Sequence, residues 1–454
     1  MYIKEVNLIN NYLQNIFYFC GEDNMKSNAK SKTIILFTLG ILLAFSPIIN
    51  NNFNFNRGNI VDFTLDKNNL KISAVSGKIH INGNSEWLSF KNDGSCSGEG
   101  TYSNPYVIED LVIDGSGSVR CIWIENSNIY FEIKNCILFK AINCGIRLSN
   151  VLNGRLINNN CSFNEGRGMD IRSTHDTEII NNSVSNNGGG GIAVQSSQNI
   201  TVSLNSVNGN HIGMLIYNNQ NCTISRNNIL SNTDEGILID RCSNLKLSNN
   251  EISLNRNGMN LGAFGDKNVD NCTISANVIS DNVASGISLI GVTNQIISGN
   301  IVNGNTVGIF LGECYANILL DNTANDNDWA GIVLRYSNYT TISGNTASNN
   351  NYYGMVLEDS NYNNISGNTA NYNHYGICLN GTINGGSDYN IVSGNTLIGN
   401  DICFVEDNCE GNIFENNDCG ISFEMILLIS IISGGAMVGV VTILLIRHKR
   451  KRIT

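Results

Sequence analysis

Residues 331–353 read GIVLRYSNYTTISGNTASNNNYY, and residues 354–375 read GMVLEDSNYNNISGNTANYNHY. The two lines are one unit written twice. The unit begins at Gly145, Gly168, Gly191, Gly213, Gly236, Gly258, Gly286, Gly308, Gly331, Gly354 and Gly376, and a twelfth copy is expected from Asp401. Most steps are 22 or 23 residues; the exceptions are 28 from Gly258 and 25 from Gly376. Each opening glycine is followed by Ile or Met. Later in the unit an Asn recurs at Asn159, Asn182, Asn205, Asn227, Asn250, Asn277, Asn300, Asn322, Asn345, Asn368, Asn395 and Asn416. A second Asn stands five residues on in the first eleven copies, from Asn164 to Asn400. A fixed short period is the mark of a repeat architecture. Apolar alternation at period two reads as strand, and so short a unit has no room for a crossover helix. The expected fold is all-β: a right-handed, single-stranded parallel β-helix with one coil per unit, stacked about 4.8 Å apart. The repeated Asn are expected to be structural. Asn tolerates left-handed backbone at bends, and stacked amides hydrogen-bond along the axis.

Working outward, CIWIENSNIYFEIKN from Cys121 and YVIEDLVIDGSG from Tyr106 read as degenerate coils. The β-helix is therefore assigned to 106–420, behind an N-terminal cap at 51–105. Two apolar segments bracket it. Residues 33–49 (TIILFTLGILLAFSPII), preceded by Lys26, Lys30 and Lys32, fit the apolar core of a secretory signal or anchor within residues 1–50. Met25 is an alternative start to Met1. Residues 425–446 carry no charge and match the roughly 20 residues of a membrane-spanning helix. The basic tail 447–454 then belongs in the cytoplasm, with the β-helix outside the cell.

Composition narrows the function classes. The chain of 454 residues holds 80 Asn, 45 Gly, only 2 Pro and 14% charged residues, unlike a set of ordinary globular domains. A hydrophobic content of 42% argues against disorder. Residues 51–424 contain 18 Lys plus Arg and 35 acids, a net charge of −17. Nucleic acid is therefore excluded as the expected partner.

The GI.L…N.ISGNTA…NN units resemble the repeats of the NosD-like, periplasmic copper-binding β-helix family. CSGEGTYSNPYVIEDLVIDG, from Cys96, is similar to the opening of extracellular proteins of that group. The likeness covers roughly residues 78–420. It implies the fold and, by the family name, copper handling. Similar repeats occur in carbohydrate-binding and sugar-hydrolysing β-helices, polysaccharide lyases and epimerases, so the fold does not fix the activity.

Copper needs clustered His, Cys or Met. Residues 51–424 have only His80, His175, His211 and His374, in no shared short motif, so copper is not expected and no metal site is assigned. Cys378 and Cys403 each stand two residues after a unit start, which makes them the expected disulfide. Insertions within 262–270 (Asp266, Lys267, Asp270) and 381–390 (Asp388, Tyr389) break the period on one side of the rod. Between them Glu313, Tyr336 and Asp359 share one column, and Arg335 and Glu358 the next. As catalytic candidates, Glu313, Arg335, Glu358 and Asp359 could serve glycoside hydrolysis, or uronate proton abstraction aided by Ca²⁺. As plain surface charges they form an Arg335–Glu358 ladder pair. Arg147, Asp170 and Arg172 make a similar patch on early coils. Tyr339, Tyr362 and Tyr389 each lie six residues before the first Asn; Trp329, Tyr352 and His374 share another column. Such rings stabilise a solenoid by stacking, or offer faces to sugars. Trp329, Tyr336, Tyr339, Tyr352, Tyr362 and Tyr389 are the ligand-binding candidates. The leading expectation is a membrane-anchored extracellular β-helix that binds glycan or acts as a surface scaffold. A lyase, hydrolase or epimerase on acidic glycans is second, and copper handling third.

Overall fold

A computed structural model describes residues 78–262, 269–382 and 385–420. The segments read as signal and membrane span lie outside these residues. No helix among the described residues is long and apolar enough to cross a membrane.

The described chain is a right-handed parallel β-solenoid. Two fourteen-stranded parallel sheets run its length, the first from Ile79–Asn82 to Ile402–Asp407 and the second from Tyr106–Glu109 to Ile413–Glu415. The third side is made of short strands such as Ser183–Ser185. From Ile301 onward it continues as single bridges through Thr323, Thr346, Thr369 and Thr396. Every neighbouring pair in the two long sheets is parallel and in register, for example Ile332 with Met355 and Leu334 with Leu357. These Ile, Met and Leu columns point inward and are essentially fully buried. They form one continuous apolar core. The unit glycine has a steric cause: a Cβ on Gly331 would lie 2.8 Å from both the Ala324 and Gly354 carbonyl oxygens.

The Asn columns are buried ladders. Asn182 donates its backbone N–H to Asn205 Oδ1 at 2.9 Å, and its Nδ2 to the same oxygen at 3.0 Å and to the Leu156 carbonyl at 2.9 Å. The same pattern repeats from Asn159 onward, and in the second column from Asn164 to Asn400. The left-handed bend belongs to a different residue. It is the one before each ladder Asn, at Asn158, Asn181, Leu204, Arg226, Asn249 and Ala276, that takes positive φ. The ladder Asn is required for its amide.

The last coil departs from the expected register. Tyr375 pairs with Ile402 and Ile377 with Phe404, so Gly376 aligns with Cys403, a step of 27 rather than 25. The ladder accordingly ends on Asn417, which accepts from Asn395, while Asn416 takes the left-handed position. The expected Cys378–Cys403 disulfide falls with that register. Cys378 aligns with Val405 and is a free, buried thiol. Cys403 is instead bonded to Cys419, at a Cα–Cα distance of 5.6 Å.

At the other end the first sheet already begins at Ile79, inside the segment read as cap. The helix Asn84–Asn92 there buries Trp87 completely. Its indole donates to Ser127 Oγ at 3.0 Å, stacks on Tyr106 at 5.2 Å and packs at a tilt against Phe131, also 5.2 Å away.

Candidate functional site

The tyrosine row predicted from spacing is real and longer than predicted. Tyr339, Tyr362 and Tyr389 sit at the turn between the first and second sheets. Each takes positive φ, which throws the side chain outward. Tyr339 and Tyr362 stack at 5.1 Å and 12°, and Tyr362 and Tyr389 at 5.3 Å and 9°. Tyr315 extends the row, its ring 5.0 Å from Tyr339. It lies one residue out of the column, so spacing alone misses it. All four rings are 48–50% exposed. Gly411 carries no side chain beneath Tyr389; a Cβ there would meet the ring at 2.6 Å. Tyr389 also donates to Glu410 Oε1 at 3.3 Å, and that carboxylate pushes the phenol above its usual range.

The other aromatic column separates. Tyr352 and His374 come together edge to face at 5.9 Å. Trp329 turns instead against Tyr353, 5.6 Å away, into a small apolar cluster with Val333, Val356 and Cys378. Tyr352, Tyr372, His374, Gly399 and Asp401 line an open depression of about 610 Å³. His374 Nδ1 lies 2.7 Å from Asp401 Oδ2. Tyr372, which the sequence does not mark, is 64% exposed.

The charged candidates do not converge as one catalytic pair. Arg335 and Glu358 meet at 3.5 Å, and the Arg335 guanidinium lies 5.5 Å from the Tyr336 ring centre. Burial pushes the Glu358 carboxyl above its usual range, against the pull of Arg335. Asp359 is buried rather than outward. Its two oxygens accept from the Thr382 N–H and Oγ1, each at 2.8 Å. Glu313 is exposed, on the coil before Arg335. Asp266 and Lys267 lie outside the described residues. Asp270 makes a bridge in the ladder, and Asp388 aligns with Asn361, so neither belongs to a protruding loop.

Residues 266–420 match the family described as periplasmic copper-binding protein (NosD), and residues 120–274 match the right-handed beta helix region family. Together the two matches span residues 120–420 and support a NosD-like right-handed β-helix family. No curated protein matches it by sequence. Among solved structures it is similar to an A-module of the Azotobacter vinelandii mannuronan C-5 epimerase, at 14% identity, covering 68% of this chain and 88% of that one, with a TM-score of 0.44. A periplasmic alginate epimerase gives 15%, 69%, 78% and 0.44. The Dettilon tailspike protein gives 14%, 63%, 60% and 0.39.

For a NosD-like chain, copper is the first ligand to test against the residues present. Among the described residues no three His, Cys, Asp or Glu are grouped to hold a metal. His80 binds Glu125, His211 lies against Thr233, and His374 against Asp401. The buried thiols form no such group either, and burial pushes them up, Cys121 and Cys242 to about 12, which disfavours the thiolate. A Cys or His must give up its proton to bind copper, as thiolate or neutral imidazole. This donor set does not fit copper.

Proposed function

We propose that this protein is a cell-surface, glycan-binding β-helix. Residues 33–49 would direct it out of the cell, 425–446 would hold it in the membrane, and 447–454 would lie in the cytoplasm. The row of four half-exposed tyrosines carries the reading. A rod in water gains little by leaving a row of four rings half wet. A sugar chain laid along them would cover their exposed edges, while the phenol hydroxyls met its hydroxyls.

The test is a glycan and polysaccharide array probed with the full-length chain, with and without Ca²⁺. Selective binding is expected, and Tyr339→Ala with Tyr362→Ala should weaken it about tenfold or more. Thermal stability should fall only slightly, because the rings lie outside the core. Binding untouched by the double substitution refutes the tyrosine row as the site. Protease protection of the solenoid in intact cells refutes the placement.

Glu358 supports a second reading, polysaccharide cleavage or epimerisation. A carboxyl raised by burial beside a guanidinium suits proton transfer. Product formation from the captured glycan, lost in Glu358→Gln, would favour that reading over binding alone.

A further inference from the structure

Far from the tyrosine row, the outer face of the first sheet carries a concentration of positive charge that an acidic chain does not need. Trp123, Arg147 and Asp170 stand in one column on three consecutive coils. Arg120 and Arg167 share the column on one side, and Arg172 lies on the other. Asp170 is fully buried, and three arginines converge on it. Arg147 Nη1 lies 2.6 Å from Oδ2, Arg172 Nε 3.0 Å from Oδ1, and Arg167 Nη1 3.3 Å from Oδ1. Arg120 completes the set. Its guanidinium carbon lies 4.3 Å from the centre of the Trp123 ring, which His80 also stacks against at 4.0 Å.

Among the described residues, Asp170 is the only carboxylate that any of these four arginines pairs with. Glu125, the acid in the adjoining column, is bound to His80 at 2.9 Å. Elsewhere the chain treats arginine in the opposite way: Arg155 is held between Glu132 at 2.6 Å and Glu178 at 2.9 Å. The cluster also leaves donors unused. Arg120 Nε and Trp123 Nε1 are both buried without a hydrogen-bond partner. A buried unpaired donor is destabilising, and guanidiniums crowded away from water repel one another. Burial, with Arg172 and Arg120 nearby, presses Arg147 below its usual value despite Asp170. Stacking the core explains none of this, since these side chains lie outside it. A bound anion removes the penalty: it supplies the missing acceptors and the missing negative charge.

We propose that Arg120, Trp123, Arg147, Arg167 and Arg172 form an oxyanion site that takes a pendant carboxylate or sulfate of an acidic glycan. Planar guanidinium forks match both groups. The choice of a pendant group follows from the openness of the face. The Arg147, Arg167 and Arg172 side chains are 14%, 27% and 40% exposed, and they lie on a sheet surface rather than in a closed cavity. The body of the ligand can therefore remain outside while its anion is held. Eight coil steps, about 38 Å at the strand spacing, separate Arg147 from Tyr339. The site stands independently of the tyrosine row.

Calorimetry on the purified full-length chain with polygalacturonate, neutral dextran and inorganic sulfate tests this. Arg120→Gln is the informative variant. Arg120 pairs with no carboxylate among the described residues, so its loss leaves the Asp170 network and the fold in place. Polygalacturonate should bind, more weakly as salt rises, and Arg120→Gln should weaken binding about tenfold. Arg155→Gln, on another sheet, should bind as the wild type does. Unchanged affinity in Arg120→Gln, or no binding of either anion, overturns the site. Sulfate bound as tightly as polygalacturonate overturns the assignment to a glycan. Tyrosine substitutions that abolish neutral-glycan capture while polygalacturonate binding persists keep the two proposals distinct.

Discussion

Glu235 is a carboxyl whose behaviour its neighbours decide. It opens the first-sheet strand Glu235–Asp240 and lies beside Asn260, whose Nδ2 is 3.5 Å from its Oε1. Burial, and then the charge of Asp234, raise its pKa from the ordinary 4.5 to about 7. The folded state therefore holds this proton more tightly than the unfolded chain. Its contribution to stability is complete below about pH 4.5 and is lost as pH rises through 7. A tenfold change in proton affinity corresponds to about 1.4 kcal/mol, so the loss is at most roughly 3 kcal/mol. Glu235→Gln keeps the amide contact and removes the titration. Its melting temperature should match the wild type near pH 4 and exceed it near pH 8; a gap independent of pH would refute the assignment. Nothing in the sequence marks this residue, because its burial comes from coils above and below. Tyr339, Tyr362 and Tyr389 are legible because equal spacing puts them in one column, whereas Tyr315, one residue out of it, is not. Arg120 and Trp123 carry no such mark, because they sit in a degenerate coil where the repeat gives no register.

At the scale of the coil, the ladder Asn are the connecting element, and their cost of removal follows from a count of orphaned groups. Asn345 is fully buried. Its Oδ1 accepts both the backbone N–H and the Nδ2 of Asn322, each at 2.9 Å, while its Nδ2 donates to the Leu319 carbonyl at 2.9 Å. Asn345→Ala strands two donors and an acceptor on the preceding coil. At about 1–3 kcal/mol for each buried unsatisfied group, the loss should be at least about 3 kcal/mol in urea unfolding. Asn351→Ala, on an exposed position, should change stability by less than about 0.5 kcal/mol. Equal effects from the two substitutions would mean that the ladder adds nothing beyond packing. The ladders are readable because period and residue type coincide for eleven coils. The twelfth misleads for a local reason. Asp401-Ile402 imitates the opening Gly-Ile, and Asn416 and Asn417 are adjacent, so sequence offers two registers. The inward columns choose between them: Phe404 and Phe414 then fall opposite Ile377 and Val392.

Across the whole solenoid each coil touches only its neighbours, so stability depends on how the two ends of the described coils are closed. They are closed differently. At the N-terminal end the helix Asn84–Asn92 seals the stack with fully buried Trp87. At the C-terminal end the apolar columns stop: Glu406 occupies the place opposite Leu379, and Phe404 and Phe414, stacked at 4.9 Å, stay only partly buried. What the last coil lacks in burial, the Cys403–Cys419 bond supplies as a covalent closure over a sequence separation of 16. A loop of that size is stabilised by about 3 kcal/mol in the chain-entropy account. Hydrogen exchange by mass spectrometry should therefore show the strands Ile402–Asp407 and Ile413–Glu415 opening faster than Ile79–Asn82 and Tyr106–Glu109. Mild reduction should accelerate exchange in the C-terminal pair alone. The N-terminal pair is held by packing that a reductant does not touch, and the ladders confine the disturbance to the last coil or two. Acceleration throughout the rod would show instead that the ladders couple all coils into one cooperative unit. No acceleration anywhere would show that packing of Phe404 on Phe414 closes the end without the disulfide.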